Sequence, residues 1–238
     1  MTVSKILVTT GMNYYGQQIT SEMVDLTVKG GNKCNNWSDF PTEVFGATGG
    51  LIGSTVIICG GWKGGSLVDE CYSLTFDKAT LVTHMSVGRG YAASIVLNDK
   101  TLWVTGGWND GYLASTEYVT TAGTIPGPWM PKVFYKHIMV GINSTVFMVI
   151  GNLADDGIFY YDHIEGKWID GPSLIQARGD QAAGIVTDEV TNENFVAITG
   201  GAHYSDFSDF TEILQDEKWV QGKINYIVVN YCCCTQFS

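Results

Sequence analysis

Positive charge, proline and long apolar runs are all scarce in this chain. Against 24 acidic residues stand only 13 lysines and arginines, a net charge of −11 over 238 residues. Such a field repels a phosphate backbone, so no nucleic-acid partner is expected. No apolar run approaches the ~18–20 residues of a membrane-spanning helix, so no membrane span is expected either. The opening stretch MTVSKILVTTG holds one lysine and an apolar run too short for the core of a secretion signal. The chain therefore reads as cytoplasmic, with a secreted protein as the reading if the N-terminus is incomplete. Helical periodicity is missing as well: no window of eleven residues or more carries a 3.6-residue apolar repeat. Only five prolines are present.

Motifs that carry chemistry are equally scarce. Nucleophile elbow, P-loop and dinucleotide fingerprint are all absent. Four histidines, His84, His137, His163 and His203, fall in different parts of the chain with no metal-ligand spacing. The run Cys232, Cys233, Cys234 lacks the C-x2-C spacing of a zinc site, and Cys234 stands one residue too early for a prenylation box. Cys59 and Cys71 fall on neighbouring predicted strands and could meet across them. The preferred reading is that they are small buried hydrophobes. The acidic pairs Asp155-Asp156 and Asp206/Asp209 fall in predicted loops and read as solvated surface. No metal, no cofactor and no catalytic residue is expected.

What the chain does have is apolar content, glycine and a repeat. Hydrophobic residues make up 45%, aromatics 12%, and 29 residues are glycine. This is too apolar for disorder. VIICGGW at 56–62 and LWVTGGW at 102–108 are nearly the same phrase. Aligned on the second position of the doublet, units centre on Gly11, Gly61, Gly107, Asn152 and Gly201, at steps of 50, 46, 45 and 49 residues. The doublets are Gly60-Gly61, Gly106-Gly107 and Gly200-Gly201, with degenerate copies at Thr10-Gly11 and Gly151-Asn152. Downstream of most doublets stand a Glu-x-apolar element and then a tryptophan: Trp37, Trp129, Trp168, Trp219. Each unit reads as four short strands rich in Val, Ile, Thr, Tyr and Trp; YAASIVL, TLWVTGG, STEYVTT and GPWMP form one set. Asn98-Asp99 and Asn143-Ser144 fit the turn between the first two strands. Glycine at the doublet permits positive φ and close backbone approach.

Period and content together resemble the kelch repeat, over roughly residues 5–222. The resemblance implies an all-β, kelch-type β-propeller of about five blades, each of four antiparallel strands, over residues 1–223. Arg89 and Arg178 match the arginine that often opens a kelch blade. The chain begins at what would be the second strand of a blade. Segment 224–238 follows the repeats as a strand-like stretch, INYIVVN at 224–230, and a cysteine-rich tail. Either 224–230 completes the first blade, or the propeller is incomplete and the chain a fragment.

The resemblance further implies a non-catalytic interaction module with a protein partner. The candidate binding residues stand in the loops after the doublets: Trp62, Trp108, Asn109, Asp110, Tyr112, His203, Tyr204 and Phe207. Trp and Tyr dominate interface hot spots. The competing reading of Trp62 and Trp108 is packing over a neighbouring strand. The alternatives are a carbohydrate-binding or catalytic member of the wider propeller superfamily, or a truncated fragment without function. Two sequons, at Asn36 and Asn143, mark positions that a secreted protein could glycosylate.

Overall fold

The computed structural model describes residues 5–13, 16–25, 33–34, 38–98, 100–152, 155–188, 191–203, 206–207 and 211–222. For 5–13, 16–25, 33–34, 152, 155–156, 203 and 206–207 it describes the backbone alone. Every regular element among these residues is a β-strand. Two compact units divide between Trp129 and Met130. The expected closing segment 224–230 lies outside the described residues.

Among the described residues the strands form five larger antiparallel sheets, each a meander in chain order, and two two-stranded ones. The first has three strands, Lys5–Asn13, Gly16–Asp25 and Lys33–Cys34. The second is Thr48–Ile52, Thr55–Cys59, Glu70–Leu74 and Ala79–His84. The third is Ala93–Leu97, Thr101–Thr105, Thr116–Thr120 and Gly123–Pro126. In the second unit lie Ile138–Gly141, Val146–Asn152, Asp155–Asp162 and Lys167–Asp170, then Ala182–Thr187, Asn194–Thr199, Thr211–Gln215 and Lys218–Gly222. The fourth strand of the third sheet is GTIP, not the GPWMP read from the sequence. The tryptophans are therefore not equivalent. Trp168 and Trp219 stand within fourth strands, whereas Trp129 lies beyond its strand and is 72% exposed.

Burial explains the strand order. Leu102, Trp103 and Val104 are fully buried on both faces of a second strand. That is why the sequence there is a continuous apolar run rather than an alternation. Fourth strands such as Lys167–Asp170 are mostly exposed. Within each unit, two four-stranded sheets pack face to face. In the first unit Ile57, Cys59 and Cys71 meet Leu102, Val104 and Val119, while Ile58 turns to the opposite face with Phe40, Val44 and Leu74. In the second unit Ile138, Met148, Ile150 and Ile158 meet Ala183, Val196 and Ile198. Each fully buried Ile or Leu contributes about 1.5–3 kcal/mol relative to exposure.

The doublet recurs because a backbone crosses it. Gly60 and Gly61 have φ of 69° and 101°, Gly106 and Gly107 of 55° and 97°, Gly200 and Gly201 of 67° and 87°. A Cβ on Gly107 would stand 2.7 Å from the Gly90 carbonyl oxygen, and one on Gly201 would stand 2.7 Å from that of Gly179. The next residue then donates to that same carbonyl: Trp62 N–H to Phe45 O at 2.8 Å, Trp108 N–H to Gly90 O at 2.8 Å, Ala202 N–H to Gly179 O at 2.9 Å. A side chain at the second glycine of the doublet would push the lead-in segment out of reach.

The cross-strand pair beside the doublet is filled differently from sheet to sheet. Thr105 faces Thr116, Ile150 faces Ile158, and Thr199 faces Thr211. Cys59 faces Cys71, and the two form a disulfide with Cα atoms 4.1 Å apart. The reading of these cysteines as unlinked small hydrophobes is thus corrected; both are buried, but they are bonded.

Candidate functional site

The loops after the doublets are built upon the lead-in segments. In the first unit, Trp62–Lys63 and Ser66–Leu67 form a minute hairpin around Gly64 and Gly65, both in the left-handed region. The Trp62 ring stacks on Phe45, with centroids 6.3 Å apart and planes 14° apart. Its edge lies over Gly90, where an added Cβ would meet the indole at 2.8 Å. Its Nε1–H is buried without a hydrogen-bond partner. These contacts make Trp62 a packing residue, while the hairpin tip at Gly64–Ser66 is exposed.

Residues 108–113 form the second loop. The Trp108 backbone pairs with Gly90 on one side and Tyr112 on the other. Asn109 N–H donates to Gly111 O at 2.9 Å, and Leu113 N–H to Gly107 O at 2.9 Å. Asn109 Nδ2 donates to Gly88 O at 2.7 Å, tying the loop to the lead-in. Asp110 is exposed and takes a left-handed φ of 50°. Tyr112 is half exposed, its ring edge-on to Trp108 at 5.4 Å. The structure thus brings Trp62, Trp108, Asn109, Asp110 and Tyr112 together around Gly88–Gly90.

In the second unit the backbone of Ala202–His203 pairs with Asp206–Phe207, and Ala202 binds Gly179 as Trp108 binds Gly90. The side chains of His203 and Phe207, and the whole of Tyr204, lie outside the described residues. Between the second and third strands of their sheets, the Gly-Gly doublets and loops stand where the sequence reading placed them.

Charge around the loops is held in local pairs. Lys63 Nζ lies 3.5 Å from Glu70 Oε2, which also accepts a hydrogen bond from Tyr72 Oη at 3.1 Å. Burial, and then Glu70, raises the Tyr72 pKa. His84 Nδ1 lies 3.0 Å from Asp69 Oδ1, and that hydrogen bond raises the histidine pKa.

Beneath the loops, Arg89 Nη2 meets Glu117 Oε1 at 2.7 Å, with both side chains buried. Arg89 Nη1 donates to the carbonyls of Gly106 and Ser115, and Glu117 Oε2 accepts from Ser86 N–H at 2.7 Å. Arg178 and Glu212 repeat the arrangement: Arg178 Nη1 donates to Gly200 O, and Glu212 Oε2 accepts from Ile175 N–H. Burial pushes both guanidinium pKa values down, against the attraction of the paired glutamate. These pairs brace the doublet from below and have no opening to a ligand.

Sequence reasoning missed the residue two positions after these arginines. Gly46, Tyr91, Lys136 and Asp180 occupy one place in four lead-ins, all with φ between 53° and 65°. Tyr91 N–H donates to Gly46 O at 2.7 Å, and Asp180 N–H to Lys136 O at 3.0 Å. Lys136 Nζ and Asp180 Oδ2 lie 2.5 Å apart. The only sequence signal was the fixed offset from Arg89 and Arg178, since Tyr91 and Lys136, at two of the four places, are not residue types that mark a left-handed backbone.

No protein-family profile matches the chain, and no curated protein matches it. Among solved structures it is similar to that of YjhT, with a TM-score of 0.77 and 14% identity, covering 94% of this chain and 82% of that one. At such low identity the likeness is one of fold alone: an all-β, propeller-type architecture built from four-stranded antiparallel blades.

Proposed function

We propose that this chain is a kelch-type interaction module that grips a partner protein through the loops following its Gly-Gly doublets, without catalysis of its own. The observation that carries this reading is the 108–113 loop. Three hydrogen bonds and two backbone bridges fix it, and it presents Tyr112 half exposed beside Asp110. A loop already ordered loses little entropy on binding, and a rigid tyrosine offers large contact area. Trp62 supports the loop from below through Phe45 and Gly90 rather than touching the partner.

Tyr112→Ala tests the reading. A photo-crosslinker at the exposed hairpin tip, Ser66, first captures the partner, and its affinity is then measured for both chains. Loss of an anchor costs about 2 kcal/mol, or roughly 30-fold in Kd. The melting temperature should stay unchanged, because Tyr112 covers no core. Unchanged affinity, or a collapse of folding, overturns the assignment.

A further inference from the structure

We propose that Asn143 is an acceptor for an N-linked glycan. The sequon Asn143-Ser144-Thr145 forms the turn between Ile138–Gly141 and Val146–Asn152, and residues 142–144 are exposed. All the hydrogen bonds of the Asn143 side chain run through Oδ1. That oxygen accepts from Thr145 N–H at 2.8 Å, Thr145 Oγ1 at 3.0 Å and Val146 N–H at 2.8 Å. The turn is therefore held by the amide oxygen, an Asx arrangement, and the amide nitrogen takes no part in it. A sugar on Nδ2 leaves the amide carbonyl intact, so the modified residue can hold the same turn.

A second, separate observation points the same way. Cys59 and Cys71 are joined, and disulfides persist in oxidising compartments, the secretory route among them. Glycan acceptors of this sequence type are used on that same route. Asn143 also stands at the end of its sheet opposite the loop between the second and third strands. Within that sheet, a glycan leaves the loop end uncovered.

The reaction needs a lipid-diphosphate-linked oligosaccharide as co-reactant. Nδ2 attacks C1 of its first sugar; the N–C1 bond forms as the bond from C1 to the diphosphate oxygen breaks. The amide nitrogen gives up one proton to a base of the transferase, and the lipid diphosphate leaves with the bonding electron pair. Nothing is oxidised or reduced.

The full chain, sent into the secretory pathway of animal cells behind a cleavable leader, is the material for the test. The secreted protein is digested with an N-glycosidase in heavy-oxygen water, and its peptides are mapped by mass spectrometry. Asn143 should be converted to labelled aspartate in most molecules. Thr145→Ala should abolish the conversion. Asn143→Asp keeps an oxygen acceptor for the turn and should fold, unglycosylated, with the Cys59–Cys71 bond intact. Folded, disulfide-linked protein with Asn143 unmodified overturns the proposal, as does a glycan found on Asn36 alone.

Discussion

Burying an arginine is costly unless a carboxylate and carbonyls surround it. Arg89 with Glu117 and Arg178 with Glu212 meet that condition. The same place in the alternate sheets is apolar: Val44 packs with Tyr72, and Phe134 meets Phe159 edge-on at 5.8 Å. Glu117→Ala should therefore destabilise by about 3–5 kcal/mol, because it strands the Arg89 charge and the Ser86 N–H. The double replacement R89F/E117F, copying the neighbouring solution, should cost much less. Denaturant unfolding of R89F, E117F and the double variant gives the cycle, and simple additivity would contradict this account. His84 supplies a pH-dependent counterpart. Its folded pKa is raised by Asp69, so the pair's stabilisation is fully present below the ordinary histidine value. That stabilisation is lost as pH rises through the raised one. In Asp69→Asn the His84 titration, followed by NMR, should move down toward the ordinary value. Gly107→Ala, forced into φ 97° against the Gly90 carbonyl, should cost roughly 1–3 kcal/mol in thermal unfolding.

At the scale of the element, the sheets are variants of one plan with local substitutions. The disulfide joins the second and third strands of the second sheet where Thr199 and Thr211 share a hydrogen bond at 3.0 Å in the fifth. Cys59 and Cys71 are 12 residues apart in sequence, and chain-entropy reasoning assigns such a link about 3 kcal/mol. A reductant should lower the melting temperature of the native chain and leave that of C59T/C71T unmoved. Equal melting of the native chain with and without reductant would show the bond to be dispensable. The hairpin loops belong to this scale too: 62–67 and 108–113 both hang on the Gly88–Gly90 segment, so a Gly90 substitution should disturb the two together.

For the whole molecule, strand content and charge set the measurable behaviour. Far-UV circular dichroism should show a β-sheet spectrum, since every regular element among the described residues is a strand. A substantial helical component would be incompatible with the fold. The charge of −11 should keep the protein off immobilised duplex DNA at physiological salt. In the second unit Ile198 is fully buried where two sheets meet, and Ile198→Ala should cost about 2–5 kcal/mol.

The spacing of the doublets determined the fold class, because a motif recurring every 45–50 residues demands units that stack on one another. Strand identity was legible wherever burial was two-sided, as in LWVT, since continuous apolar β-branched runs have few other uses. Edges were less so: GPWMP looked like a strand through its tryptophan, yet the pairing partner of Thr116–Thr120 is Gly123–Pro126. Register lay beyond the sequence as well. Glu70 and Glu117 each open the Glu-x-apolar element that follows a doublet, but Tyr72 holds the place of Glu117 in the second sheet, facing Ile58 as Glu117 faces Val104. A differently sized loop between the second and third strands shifts the count, and only pairing reveals it. The candidate loop residues could be named from their position after each doublet. Which of them packs and which projects was decided by tertiary contacts: Phe45 and Gly90 take up Trp62, while Tyr112 stays half exposed. Sequence specifies which residues lie near one another along a strand. The meeting of Trp62 with Phe45, Arg178 with Glu212 and Cys59 with Cys71 depends on how strands and lead-ins dock, and that is settled only when the backbone closes over the glycines.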